Sequence, residues 1–333
     1  MKAAQIGRYS KTMSVAIREV AQPEISDSEV LVRVKAAAVN PVDLLISTGS
    51  IKLIQNYPLP LTLGNECSGI VEKAGKNVTA FRPEDAVYAR LPISKIGAFA
   101  EYAAIDQEAI AKMPEGYDFA TAAAIPLTGL TAYQAIVEEL EAKPGQTVLI
   151  PGGSGSFGQM AVPIAKALGL HVIVTGNARA RERFLSMGVD QYLDYRKENY
   201  WELPHNVDHV IDTLGAAEFE RELSVLKQGG RLVSLRTSPN KAFAERHGFS
   251  GLKKTLFSLA GGKYDRAARK QGKEYRFLFV RSNGTQLEKI TEIMKKEQVR
   301  PAVDSRTFSL EQANEALGLV AEGKLDGKVI IQP

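Results

Sequence analysis

Three glycines spaced Gly153-x-Gly155-x-x-Gly158 stand where the apolar run Val148-Leu-Ile-Pro151 gives way to a helix-like stretch, Phe157–Leu168. At a strand-to-helix junction this spacing can hold a diphosphate. The first glycine allows a tight turn, the second lets backbone approach the anion, and the third lets the helix pack close to its strand. The anion then meets unpaired N–H groups at the positive end of the helix dipole. Gly153, Ser154, Gly155, Ser156, Phe157 and Gly158 are the candidate contacts. A site for NAD places Asp or Glu about 20 residues further on, against the adenosine ribose. Here the next strand ends Val174-Thr-Gly-Asn177 without a carboxylate, and Arg179 and Arg181 follow. A guanidinium favours a 2′-phosphate that an acid would repel, so Asn177 and Arg179 point to NADP(H). The alternatives are a merely structural turn and two arginines on a solvated helix face.

The flanking pattern supplies the elements that such a loop needs. Thr147–Ile150, His171–Thr175, Gln191–Asp194, Val207–Asp212 and Arg231–Leu235 read as strands. They alternate with helices at Phe157–Leu168, Arg179–Met187 and Ala216–Leu226. That alternation predicts a doubly wound parallel sheet. The first third reads differently: Glu29–Val39, Gly69–Val71, Ala86–Leu91 and Ala98–Ile105 are strand-like and closely spaced, as in a barrel-like β domain. Ala120–Leu140 is Ala-rich and predicts a connecting helix. Tyr275–Val280 reads as one more strand, Leu287–Lys296 as an amphipathic helix, and Asp326–Ile331 as a closing strand.

Composition narrows the class. The chain has 333 residues, enough for two domains, with 44% hydrophobic and 24% charged residues, which excludes disorder. A net charge of +4 is too mild for a nucleic-acid binder. One cysteine, Cys67, excludes an intramolecular disulfide framework and a multi-cysteine zinc site. The four histidines, His171, His205, His209 and His247, do not lie at ligand spacing with it. The apolar runs fall short of the roughly 18 residues of a membrane span, and no secretory signal opens the chain, so the expected location is cytoplasmic.

Several segments carry a resemblance: Ala36-Ala-Ala-Val-Asn-Pro-Val-Asp43, Leu63-Gly-Asn-Glu-Cys-Ser-Gly69, Gly97-Ala-Phe-Ala-Glu-Tyr102, Pro126-Leu-Thr-Gly-Leu-Thr-Ala-Tyr133, the glycine loop, and Gly327-Lys-Val-Ile-Ile331. In this order, over nearly the whole chain, they resemble the medium-chain dehydrogenase/reductase superfamily, in its zinc-free quinone oxidoreductase and enone reductase branch. The resemblance implies an α/β protein with a GroES-like β-rich catalytic domain, residues 1–120 and 284–333. A Rossmann doubly wound parallel-sheet domain, residues 121–283, is inserted into it. It also implies a homodimer formed through edge strands, for which Tyr275–Val280 is the matching segment.

Zinc alcohol dehydrogenases of the superfamily hold their metal with two Cys and a His. The matching positions here carry Asn40 for the first Cys and Asn65 for the His, so the expectation is a metal-free site. Hydride delivered to an enone or quinone builds charge on a weakly basic oxygen, which a neutral donor can stabilise. The resemblance places Asn40 at the cleft as that donor and Asp43 beside it, orienting the loop or relaying a proton. The alternative for both is a turn residue and its brace. Tyr57 is either a phenol donor or a packed aromatic. Asn65 and Thr131 match cleft and nicotinamide-side positions. Tyr195 matches a position lining the adenosine phosphate pocket, or is a surface aromatic.

A basic insert at about 236–274 departs from the compact members of that branch. Gly251–Arg276 holds eight basic and two acidic residues, so the chain's basicity is local. Leu252, Leu256, Phe257, Leu259 and Ala260 form an apolar stripe. Its shortness favours packing or a lid over the substrate rather than contact with an anionic membrane. The expected function is NADPH-dependent hydride transfer to a quinone or an α,β-unsaturated carbonyl. Its rivals are a metal-free reductase of simple aldehydes or ketones and a low-turnover nucleotide-binding protein.

Overall fold

A computed structural model describes residues 1–11, 14–204, 206–323, 325 and 327–333. The chain forms two compact units, Met1–Leu130 with Arg281–Pro333, and Thr131–Val280. The change of unit comes later than the change of sequence texture near residue 121. Local bonds explain why: Ser68 Oγ donates to the Phe119 carbonyl at 2.6 Å, and the Leu127 N–H donates to Glu66 Oε2 at 2.6 Å. These hold the first turns of the Ala-rich segment in the first unit. Helical residues Phe119–Glu139 are long and apolar enough to cross a membrane, more than the short apolar runs suggested, but most of them are buried inside the protein.

The first unit is built on a sheet ordered Val303–Phe308, Lys328–Ile331, Glu29–Ala38, Glu66–Ala74, Ala86–Arg90, Ile110–Lys112. Tyr102–Asp106 also pairs with Glu29–Ala38, and a three-stranded sheet holds Ala16–Glu19, Lys2–Ile6 and Leu61–Thr62. The Val-rich run Glu29–Ala38 is its central strand and is buried almost throughout. The small side chains Ala36, Ala38 and Ala123 pack with Ile330, so the late strand closes directly on the early one. Ile330 pairs with Ala38, and Ile331 with Ala37, in antiparallel register. His205 and Asp326 lie outside the described residues, and the closing strand is Lys328–Ile331.

The second unit is a six-stranded parallel sheet in the order Gln191–Asp194, His171–Gly176, Thr147–Ile150, Val207–Asp212, Leu226–Ser234, Glu274–Phe277. Numbered by sequence within the unit this is the 3-2-1-4-5-6 order of a dinucleotide fold. Val148, Leu149, Ile150, Val172, Val174, Val210 and Ile211 are fully buried, as a sheet covered on both faces requires. The order reverses between Thr147–Ile150 and Val207–Asp212, and doubly wound sheets bind ligands at the carboxyl ends of the strands beside such a switch.

The basic insert forms the helices Lys241–Arg246 and Gly251–Lys270. The longer one buries Phe257, Gly261, Tyr264 and Ala268. Of the apolar stripe anticipated from sequence only Phe257 is buried, while Leu252, Leu256, Leu259 and Ala260 face outward. Tyr264 and two small residues, Gly261 and Ala268, complete the packing face with Phe257. A Cβ on Gly261 would lie 2.5 Å from the Asn240 side chain.

Candidate functional site

The glycine loop links Thr147–Ile150 to the helix Ser156–Ala167, whose N-cap is Gly155. Gly155 has open space where a side chain would stand. A Cβ on Gly158 would come within 1.7 Å of the Gly153 carbonyl oxygen, so only glycine lets the helix approach this closely. The tight turn, assigned above to Gly153, falls instead on Gly152, which has φ +66°. Gly153 is constrained by space, since its Cβ would meet Ile150 Cγ2 at 2.7 Å. The Gly152 N–H donates to Thr175 Oγ1 at 2.9 Å, tying the loop to the neighbouring strand. Ser154, Ser156 and Phe157 are half-buried beside it. Thr131 is buried in the helix Pro126–Tyr133, at the start of the second unit.

Past the second strand, a cleft of about 450 Å³ is lined by Asn177, Ala178, Arg179, Asp194, Tyr195, Arg196 and Lys197. Asn177 caps the turn by accepting from the Ala180 N–H at 3.1 Å, and its carbonyl accepts from the Tyr192 hydroxyl at 2.7 Å. Tyr195 is 56% exposed, with the Arg196 guanidinium 5.8 Å from its ring centroid. Arg179, Arg196 and Lys197 are exposed along this cleft. Asp194, its one acid, is buried and accepts from the Arg196 N–H at 3.1 Å. Arg181 turns away, donating to the Tyr192 carbonyl at 3.1 Å. Arg196 and Lys197 escaped the sequence reading, although Asp194-Tyr-Arg-Lys197 places both at the end of a strand.

At the switch in strand order, Asp212 Oδ1 accepts from the N–H groups of Leu214 and Gly215 at 2.8 and 2.6 Å. Its other oxygen accepts from Ser234 Oγ at 2.5 Å. Glu222 is fully buried nearby. Burial, reinforced by the Asp212 charge, pushes its carboxyl up to about 10.

In the first unit, Asn40, Asp43, Asn65 and Glu66 form one buried cluster. Asn40 precedes the helix Pro41–Ser47, and its N–H donates to Asp43 Oδ2 at 2.8 Å. Asn65 Nδ2 donates to Asp43 Oδ1 at 2.7 Å. Asp43 is therefore a brace between the two asparagines. Burial pushes its carboxyl up to about 7, against the lowering effect of these two donors.

The Asn40 amide is committed on every side. Nδ2 donates to Glu66 Oε1 at 2.8 Å and to the Ala38 carbonyl at 3.2 Å, and Oδ1 accepts from Lys328 Nζ at 2.6 Å. Lys328 also lies 3.0 Å from Glu66 Oε1. The expected free donor on Asn40 is thus already hydrogen-bonded, because Glu66 and Ala38 lie within its reach. The Tyr57 hydroxyl is committed too: it donates to the Ile93 carbonyl at 2.7 Å, and burial raises its pKa. Sequence reasoning missed Lys328 and Arg90. Arg90 is fully buried across the sheet from Glu66, and its Nη1 donates to the Leu91 carbonyl. Burial pulls its guanidinium down to about 10.

Among the described residues, no group of three or more His, Cys, Asp or Glu side chains could hold a metal ion. Cys67 is buried, and desolvation pushes its thiol up to about 12, the opposite of what an activated nucleophile needs.

Two families match the chain: the alcohol dehydrogenase GroES-like domain over residues 26–115, and zinc-binding dehydrogenase over residues 187–331. The chain is 31% identical over 326 residues to 2-methylene-furan-3-one reductase of Solanum lycopersicum, covering 94% of this chain and 74% of that one. It is 30% identical over 323 residues to the chloroplastic NADPH-dependent alkenal/one oxidoreductase of Arabidopsis thaliana, covering 93% and 74%. The solved quinone oxidoreductase from Coxiella burnetii superposes with a TM-score of 0.84 at 27% identity, covering 100% of this chain and 99% of that one. The strand order, the glycine loop and these likenesses agree: the chain belongs to the medium-chain dehydrogenase/reductase superfamily, among its quinone and enone oxidoreductases.

Proposed function

We propose that the protein is an NADPH-dependent, zinc-independent reductase of quinones or α,β-unsaturated carbonyls. The observation that carries the cofactor choice is the cleft beyond the glycine loop. Arg179, Arg196 and Lys197 line it, and its one carboxylate, Asp194, is buried and engaged with a backbone N–H. The residues fit the cofactor: Gly155 leaves the backbone open to a diphosphate, and the three cations suit a 2′-phosphate. When bound, NADPH supplies the hydride. The relatives' activities on an alkylidene furanone, on alkenals and enones and on quinones support the substrate class.

The residues do not fit zinc. Amides stand at Asn40 and Asn65, and the Lys328 ammonium already sits against Asn40 and Glu66. A second cation there would be repelled. Charge developing on the substrate oxygen is instead met by the buried cations Lys328 and Arg90 and by the Asn40 amide. Lys328 and Glu66 hold that amide in place. Asn40 donates to the oxygen by exchanging the longer of its two bonds, the 3.2 Å one to Ala38, while keeping Glu66. Asp43 keeps the helix start and Asn65 in register.

Among the described residues the strand Glu274–Phe277 is paired on one side only, which supports a homodimer closed through that edge. The test of function is NADPH oxidation, followed by absorbance, with a quinone, an enone and a saturated ketone. Turnover of the first two and not the third is expected. Turnover of the ketone alone points to a simple carbonyl reductase, and no turnover to a nucleotide-binding protein.

A further inference from the structure

On the helix Gly251–Lys270, residues 252, 256, 259, 263, 266 and 270 alternate steps of four and three, which aligns them on one side of the helix. All six are exposed, and in order they read Leu, Leu, Leu, Lys, Arg, Lys. Leu252 and Leu259 are 74% and 73% exposed, so the fold leaves this line uncovered while burying the opposite face. The helix carries six basic residues and one acid. That acid, Asp265, is turned inward and accepts from Asn240 Nδ2 at 2.7 Å. The outward line therefore has an apolar half and a purely cationic half.

A second copy of the chain does not complement this line. Parallel pairing would oppose cation to cation, and antiparallel pairing would press ammonium groups against leucines. An anionic bilayer surface complements both halves at once. Leucines enter the acyl boundary, and long Lys and Arg side chains reach lipid phosphates while covering apolar surface with their stems. We propose that this face of the helix docks the protein peripherally on an anionic lipid membrane.

The test is flotation of the whole protein with phosphatidylcholine vesicles, with and without phosphatidylserine, at low and high salt. Binding is expected only with phosphatidylserine, released by salt. Leu252→Ser/Leu259→Ser and Lys263→Glu/Arg266→Glu should each lower partitioning about ten-fold or more, with melting temperature and activity on a soluble quinone unchanged. Equal partitioning to neutral vesicles, or none to either, overturns the proposal. So does a leucine variant that changes the oligomeric state by light scattering and leaves vesicle binding intact, which would assign the face to a second copy.

Discussion

Replacing Arg179 by Ala should weaken NADPH binding while leaving NADH binding nearly unchanged. The magnitude follows from the setting. Two unit charges about 4 Å apart are worth about 1 kcal/mol in water and about 4 kcal/mol at an effective dielectric of 20. Arg179, Arg196 and Lys197 are exposed and the cleft is open to solvent, so the lower part of that range applies. About 1–2 kcal/mol per cation corresponds to roughly 5- to 30-fold in Kd. Arg196→Ala and Lys197→Ala should fall in the same range. Because exposed charges are screened, NADPH affinity should also fall with salt faster than NADH affinity. The assay is titration of each cofactor by fluorescence at two ionic strengths, on wild type and the three variants. Equal wild-type affinities for NADPH and NADH, or variants that weaken both alike, would refute the reasoning.

Three more outcomes are expected. Asn40→Ala should slow single-turnover hydride transfer while NADPH affinity holds; an early-melting variant that transfers hydride at the wild-type rate would make Asn40 a structural residue. Glu222 keeps in the folded state a proton that the unfolded chain releases near its ordinary 4.5, so stability falls as pH rises from there towards about 10. Glu222→Gln removes that titration and should lose less melting temperature than wild type between neutral and alkaline pH, and parallel losses would contradict this. EDTA should leave activity intact, and elemental analysis should find no stoichiometric zinc; activity lost to EDTA and restored by zinc would overturn the zinc-independent reading.

What the sequence made legible was what depends on near neighbours. The parallel strands, the glycine loop and the missing carboxylate after Gly176 are local patterns, and the structure places each where its spacing implied. Gly152 was passed over because a spacing rule counts glycines without their dihedral angles. Lys328 was invisible for a different reason: 288 positions separate it from Asn40, and in sequence it is one lysine in the closing strand. Arg90 likewise reads as the end of an apolar run, and only the pairing with Glu66 places it beside the cluster. The stripe on Gly251–Lys270 was misassigned because apolar periodicity identifies large side chains. The face that packs sets Phe257 and Tyr264 beside Gly261 and Ala268, and such patterns do not weigh the two small residues.

The pairing of Glu29–Ala38 with Lys328–Ile331 bears on how the protein is made. At about 5–20 residues per second, a ribosome needs about 15 to 60 s to pass from Asn40 to Lys328. The entire segment Thr131–Val280 is synthesised in that interval and can fold as a unit. Meanwhile Glu66 and Asn40 wait without their ammonium partner, and the edge of Glu29–Ala38 that receives Ile330 and Ile331 is open to other strands. The nascent first unit therefore stays incomplete until its last strand arrives, whereas every residue of the second unit is already made.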